Sequence, residues 1–245
     1  MRIGKSSNPT LGKNALTRVY NVADSGQMTI NGTVNKMIIS LLLVATAGYF
    51  SWNYVAEGGN SSLMYAGAIG GFVVAMVTIF KAEWANYTTP IYAILEGIFL
   101  GAISAFFNAM IPGIVFQAVA LTMGVAFAML FAYKSGLIKA SSKFKRGVVA
   151  ATGGIFIFYM ISLIGSFFGG GISLASMGLL GIGIQLFIVV IAALNLILDF
   201  DMIERISSNG APKVMEWYGA FSLMVTLVWL YLEILKLLAL LANRN

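Results

Sequence analysis

Residues 177–200 read MGLLGIGIQLFIVVIAALNLILDF, and this stretch decides the fold class of the chain. It is longer than the roughly 20 apolar residues that a helix needs to cross the hydrocarbon core of a bilayer. Its single charged side chain, Asp199, comes almost at the end. The stretch therefore predicts a transmembrane helix that carries one carboxylate near its end.

Six further apolar runs predict an all-α integral membrane protein with seven transmembrane helices. Of the 245 residues, 59% are hydrophobic and 10% are charged. A soluble domain has about 25% charged residues, so the composition excludes that class. The predicted spans are 37–54, 63–80, 91–110, 114–133, 148–168, 177–200 and 220–241.

The chain contains no cysteine and no histidine. This composition excludes disulfides, thiolate chemistry and the usual haem and zinc sites, so we expect no cofactor. It also excludes a Ser/His catalytic set, and we expect that the protein is not an enzyme. Because histidine is the usual side chain that titrates near neutral pH, any response to pH must come from carboxylates or lysines.

The basic residues predict how the chain is oriented in the membrane. They precede the first span and follow the second, fourth and sixth spans, whereas the loops near Glu57, at 108–112 and at 169–176 contain no Lys or Arg. The positive-inside rule then places the N-terminus in the cytosol and, after seven spans, the C-terminus outside. We accordingly divide the chain into a polar, basic cytosolic arm, 1–36, and a transmembrane domain, 37–245.

Two pairs of glycines predict closely packed helices. Gly67 and Gly71 are four residues apart, and so are Gly97 and Gly101. Small residues at this spacing allow two transmembrane helices to approach closely. We expect these glycines to lie at helix interfaces rather than at a ligand.

Four carboxylates lie inside or at the edges of the apolar runs, namely Glu96, Asp199, Asp201 and Glu233. An acid in hydrocarbon costs roughly 2.5–3.5 kcal/mol, so it normally faces a partner, a cavity or an ion path. Glu96 either lines a cavity or, as a neutral acid, bonds to a neighbouring helix. Asp199 and Asp201 are about 200° apart around a helix and cannot face the same cavity. Asp201 is then a flanking acid at the cytosolic interface.

Glu233 interrupts the seventh apolar run and allows two interpretations. It either forms an ion pair with Lys236, three residues further on, or points inward while Lys236 extends towards the membrane surface. We favour the inward orientation. Glu233 would approach the level of Asp199 only if residues 212–217 lay along the membrane interface, and the break at 209–212 supports that arrangement.

Several segments, in their order along the chain, resemble the Bax inhibitor-1 family and in particular its bacterial branch. The resemblance covers essentially the whole chain and implies a central helix ringed by six others, in a bacterial inner membrane. It also implies a pH-sensitive leak of calcium as the permeant ion. The segments are residues 7–9 (SNP), 28–36 (MTINGTVNK), 90–101 (PIYAILEGIFLG), 198–204 (LDFDMIE), 216–221 (EWYGAF) and 229–236 (WLYLEILK).

The resemblance also implies roles for individual residues. The family's pH sensor is a pair of aspartates, on the sixth and seventh helices, that share a proton. Asp199 occupies the first position, with the aliphatic Ile203 four residues later, and Glu233 occupies the second, where glutamate replaces aspartate. A basic residue on the second helix latches onto the sensor in a channel homologue, and Lys81 is the candidate here.

A shared proton would act as a gate. Two carboxyl groups held close together cannot both ionise cheaply, so one proton at low pH would bridge the helices and keep the cytosolic side closed. At higher pH their mutual repulsion would separate the helices. Calcium prefers oxygen ligands and would interact weakly with Asp199 and Glu233, with Glu96 and Asp201 as further pore or cavity acids.

A second function stays open at this point. Another bacterial relative modulates a membrane-bound protease, so the resemblance also implies an interaction protein. Such a protein would contact the protease through the polar arm, 1–36.

Overall fold

The computed structural model describes residues 26–60 and 62–243, which form seven long helices. All seven are long and apolar enough to cross a membrane, which confirms the predicted all-α fold with seven spans. The sequence predicts that the arm, 1–36, would contact a membrane-bound protease. Residues 1–25 of that arm lie outside the described residues. The helices are α1 (Ile30–Ala56), α2 (Ser62–Phe80), α3 (Ala85–Met110), α4 (Ile114–Lys134), α5 (Ser142–Phe167), α6 (Leu179–Ser208) and α7 (Met215–Ala242).

The first and last helices begin earlier than predicted. Helix α1 starts at Ile30, seven residues before the start of the first predicted span. The Thr29 side chain caps it by accepting a hydrogen bond from the backbone N–H of Gly32, at 2.9 Å. Helix α7 starts at Met215 and includes Trp217, so residues 212–217 do not form a separate segment before the last helix.

The short loops place successive helix ends on alternate sides of the bundle. The side that carries residues 26–29 and the loops 81–84, 135–141 and 209–214 contains most of the lysines of the described residues, and we call it the basic face. The side with the loops 57–60, 111–113 and 168–178 is the far face. A residue's distance from either face follows from its position along its helix, at 1.5 Å per residue.

Helix α7 lies at the centre of the bundle. It packs against α1, α3, α4 and α6, whereas α2 packs mainly against α3 and α5 mainly against α6. The largest buried cluster joins α4, α6 and α7 through Ala118, Leu196, Leu230, Ile234 and Leu235. The side chains of α7 therefore face partners on most of its circumference.

Both glycine pairs lie at close helix contacts, as their spacing predicts. A β-carbon built on Gly97 would lie 2.5 Å from the carbonyl oxygen of Val44, and one on Gly101 would overlap the Gly48 backbone. A β-carbon on Gly67 would likewise lie 2.8 Å from the carbonyl oxygen of Leu95. The glycines thus let α3 approach α1 on one side and α2 on the other.

Candidate functional site

Asp199 lies on the side of α6 that faces the central helix. Its Oδ1 accepts a hydrogen bond from the Ser222 hydroxyl at 2.5 Å, and its Oδ2 accepts one from the Thr226 hydroxyl at 2.6 Å. Ser222 and Thr226 are four residues apart and therefore lie on one face of α7. The carboxylate is thus held by two hydroxyl groups, and none of the ion pairs among the described residues involves it.

Glu233 is the second carboxylate on this interface, and it is only 1% exposed. Its Oε2 accepts hydrogen bonds from the Gln185 amide at 2.6 Å and from the Tyr159 hydroxyl at 2.7 Å. Its Oε1 lies 3.0 Å from Nζ of Lys236, whose ammonium group also lies over the Tyr159 ring. Glu233 therefore points inward and also forms the ion pair with Lys236. The two interpretations of its position are compatible with each other.

The structure does not bring Asp199 and Glu233 together. Asp199 binds α7 at Thr226, which is seven residues or about 10 Å from Glu233 along that helix. Glu233 in turn binds α6 at Gln185, fourteen residues or about 21 Å from Asp199. The expected shared-proton pair is therefore absent from this structure. The reason is the continuous α7, because the approach of the two acids depended on an interfacial segment that does not form.

Asp201 points to a different helix from Asp199, as a separation of two residues on a helix predicts. Its Oδ2 lies 2.6 Å from Nζ of Lys145 on α5 and 2.7 Å from Nε of Arg205, one turn further along α6. Two cations thus compensate this carboxylate at the basic face. Asp201 is a paired acid at the mouth of the α5–α6 interface.

Glu96 lies near the middle of α3 and faces α2. A β-carbon on Gly71 would lie 3.4 Å from its Oε1, and its Oε2 is buried without a hydrogen-bond partner. Among the described residues, no hydrogen bond or ion pair joins Glu96 to Asp199 or to Glu233. The structure therefore places Glu96 at an α2–α3 contact.

Lys81 does not latch onto either acid. It is exposed in the loop between α2 and α3, and its ammonium group lies 4.2 Å from the centre of the Trp84 ring. In this conformation the candidate latch contacts neither acid, and the lysine that contacts a predicted sensor residue is Lys236.

The resemblance on which these residue roles rest is confirmed by a comparison with known protein families. A family model described as Bax inhibitor 1 like matches residues 8–243. The chain belongs to the Bax inhibitor 1-like family. No curated protein and no solved structure matched the chain.

This Bax inhibitor 1-like chain has a further buried acid that the apolar runs do not predict. Glu216, in the first turn of α7, is 1% exposed. Its Oε1 accepts hydrogen bonds from the backbone N–H and the hydroxyl of Thr29, both at 3.1 Å, and its Oε2 lies 3.7 Å from Nζ of Lys36. An acid at the start of a helix is commonplace, so its position gave no signal. Gly32 lies directly against this carboxylate.

The contacts of Glu216 tie the segment before α1 to the loop before α7. Gln27 and Pro212 form an antiparallel bridge, and the N–H of Met28 donates to the carbonyl oxygen of Ala211 at 2.8 Å. The Ser207 hydroxyl donates to the carbonyl oxygen of Met28 at 3.2 Å. The basic face of the α6–α7 hairpin is therefore covered by residues 26–29.

The acids of the family member are dispersed rather than clustered. Within residues 26–60 and 62–243, no three acidic side chains converge as a metal site would require. A calcium ion at Asp199 would meet one carboxylate and two hydroxyl oxygens, and one at Glu233 would meet a carboxylate, an amide and a hydroxyl. Such sparse oxygen sets are typical of weak binding, since calcium takes six to eight oxygen ligands.

Proposed function

We propose that the protein is a pH-sensitive cation leak, with calcium as the permeant ion, and that Asp199 is its proton-sensitive group. The observation that carries this proposal is the setting of Asp199, a carboxylate within a membrane-spanning helix whose hydrogen-bond partners are two hydroxyls. A carboxylate without a cationic partner is costly inside a bilayer. Such a carboxylate is stabilised when it takes up either a proton or a cation. The proton and the cation therefore compete for the same group.

The two hydroxyls suit both protonation states of the acid. A hydroxyl group donates one hydrogen bond and can also accept. When Asp199 is ionised, Ser222 and Thr226 both donate to it. When Asp199 is protonated, its O–H donates a hydrogen bond to one of the two hydroxyl oxygens. That hydroxyl group then rotates and points its own hydrogen in another direction. Protonation therefore removes the charge without leaving a buried group unsatisfied.

The sign of the pH response follows from this exchange. Ionised Asp199 attracts a cation into the α6–α7 interface, and protonated Asp199 does not, so we expect flux to fall as the pH is lowered. Glu233 acts separately, because Lys236 already compensates its charge. The basic face is the cytosolic side in this proposal, as the positive-inside rule predicts.

Calcium flux into vesicles tests the proposal. The purified protein is reconstituted in liposomes that contain a calcium-sensitive dye, and the initial rate is measured across pH for the wild type and for Asp199→Asn. We expect the wild-type rate to rise with pH and the variant rate to be independent of pH over the same range. Substitution by asparagine keeps the size of the side chain and removes the titration.

A matched control is available on the surface. Glu83 is an exposed acid in the loop between α2 and α3, and Glu83→Gln removes the same charge outside the bundle. We expect it to keep the wild-type dependence on pH. A wild-type protein that conducts no calcium, or an Asp199→Asn variant that retains the wild-type curve, contradicts the proposed function.

A further inference from the structure

Helices α1 and α4 leave a groove between them on the surface of the bundle. Both pack against the central helix α7, but within residues 26–60 and 62–243 they do not pack closely against each other. The space between them has a volume of about 790 Å³, which is within the range of roughly 300–1,000 Å³ that is usual for ligand pockets. We call this space the α1–α4 groove.

The walls of the α1–α4 groove are apolar and partly exposed, whereas its floor is buried. Val34 and Ile38 on α1 and Phe127 on α4 line the walls, and each is at least half exposed. Leu196 of α6 and Leu227 of α7 belong to the floor, and Leu196 is only 1% exposed. The groove is therefore open along its side to the hydrocarbon of the bilayer.

The groove begins at the basic face and has the depth of one leaflet. Its lining residues run from Ile30 to Leu41 along α1 and from Lys134 to Met123 along α4. Each wall thus extends over eleven residues, or about 17 Å. Half of a hydrocarbon core of about 30 Å is about 15 Å, so the groove matches the depth of one lipid acyl chain.

Two lysines line the mouth of the groove at the basic face. Lys134 is the last residue of α4 and Lys139 lies in the loop that follows, and both are exposed. None of the ion pairs among the described residues involves either lysine. Their ammonium groups can therefore bind an anion at the level of the lipid headgroups.

The two acids that line the mouth already have partners. Asp201 lies between two cations, and Glu204 accepts a hydrogen bond from the Tyr133 hydroxyl at 2.5 Å. Residues 134–146 and 201–205 together contain six basic side chains and two acidic ones. The surroundings of the mouth thus have a net positive charge, which favours an anionic ligand over a cation.

Two other cavities do not combine an apolar groove with free cations. One of about 700 Å³ continues from the groove towards the far face, and its buried hydroxyls, on Ser104 and Tyr231, bond to each other at 2.6 Å. The other, of about 590 Å³, lies among α1, α2 and α3. Among the described residues, no charged side chain lines either cavity. Nothing in them selects one headgroup over another.

We propose that the α1–α4 groove binds one anionic phospholipid. The phosphate group of this lipid lies at Lys134 and Lys139, and one acyl chain lies in the groove against α6 and α7. Basic pockets between transmembrane helices hold anionic headgroups in this way. A free phosphate ion would meet the same lysines but would leave the apolar groove empty. The inference goes beyond the proposed cation leak and does not depend on it, because lipid binding is measured without flux.

Lipid binding to the purified protein in non-ionic detergent micelles tests the site. Native mass spectrometry gives the dissociation constant of the first bound lipid. The two probes are dioleoyl phosphatidylglycerol and dioleoyl phosphatidylcholine, which differ only in the headgroup. We expect phosphatidylglycerol to bind at least about tenfold more tightly, because its headgroup has a net negative charge. Equal affinities for the two lipids overturn the proposal.

Charge variants test the position of the headgroup. Each lysine near a membrane surface contributes about fivefold to the binding of an anionic lipid, so we expect Lys134→Gln with Lys139→Gln to bind phosphatidylglycerol about thirtyfold more weakly. The control is Lys143→Gln with Arg146→Gln, which removes the same charge from exposed residues that do not line the groove. We expect the control to bind as the wild type does. Equal losses in both double variants mean that only the net charge of the face matters, which contradicts a site.

Size variants test the position of the acyl chain. Ala126→Phe places a ring in the groove, whereas Ala128→Phe places one at an exposed position of the same helix that does not line it. We expect Ala126→Phe to bind phosphatidylglycerol severalfold more weakly than Ala128→Phe. Leu130→Trp fills the same groove one turn further on and replaces Ala126→Phe if that variant does not fold. Equal affinities of the filled and control variants mean that a phosphate group binds at the surface alone, and the proposed groove site is then wrong.

Discussion

Asp199 and Glu233 lie at opposite depths of the same interface. Asp199 is nine residues, about 14 Å, from the end of α6 at the basic face, and Glu233 is nine residues from the end of α7 at the far face. Each has its own hydrogen-bond partners, Ser222 and Thr226 for the first and Gln185 and Tyr159 for the second. The two acids are separate sites.

This separation predicts that the two acids contribute independently to stability. We expect the effects of Asp199→Asn and Glu233→Gln on the free energy of unfolding to add in the double variant within about 0.5 kcal/mol, as is usual for residues more than 7–10 Å apart. Denaturant unfolding in detergent micelles, at one fixed pH, measures the free energy of unfolding of the wild type, the two single variants and the double variant. A coupling well above 1 kcal/mol would show that the carboxylates share a proton after all.

The contact between Glu233 and Lys236 predicts an asymmetric pair of variants. Lys236→Met leaves a buried carboxylate without its cation, and we expect a loss of about 1–3 kcal/mol because Lys236 is partly exposed. The double variant with Glu233→Gln removes both charges, while a glutamine can still bond to Gln185 and Tyr159. We therefore expect the double variant to be more stable than Lys236→Met alone. Thermal unfolding measures both, and the opposite order contradicts the ion pair.

Gly32 and Glu216 predict a sensitive position at the basic face. A β-carbon on Gly32 would overlap the Glu216 carboxylate, which would have to leave its two bonds to Thr29. A buried carboxylate without partners costs about 1–3 kcal/mol, so we expect Gly32→Ala to lower the melting temperature. The control is Gly153→Ala, where no atom lies within 4 Å and a helix-favouring alanine should be neutral or stabilising. Equal melting temperatures for the two variants would contradict this contact.

The α1–α3 contact predicts a stronger effect at Gly101. A β-carbon there would meet the Gly48 backbone, which cannot turn aside as a side chain can. We expect Gly101→Ala to separate the two helices and to cost about 1–3 kcal/mol or more. Gly124→Ala on α4 is the control, since no atom lies within 4 Å of its β-carbon. Chemical denaturation distinguishes them, and a Gly101→Ala variant as stable as the control would mean that α1 and α3 are further apart.

The amino-acid sequence by itself determined the number of spans, the face of each loop and the close helix contacts. A long apolar run crosses a bilayer as a helix, because only a helix satisfies every backbone hydrogen bond within its own segment. Glycines four residues apart likewise mark a close contact whatever the partner helix is. The same holds for Asp199 and Asp201, whose separation of two residues fixes that they face different neighbours.

The tertiary structure alone decided which polar groups meet. Whether Glu233 lies level with Asp199 or about 10–21 Å away depends on where α7 begins. Residues 26–29 pair with the loop before Met215. Glu216 and Gly32 are far apart in sequence, and so are Tyr159 and Glu233. Such contacts follow from the depth and rotation of each helix, which apolar runs do not specify because lipid accepts an apolar helix in many orientations.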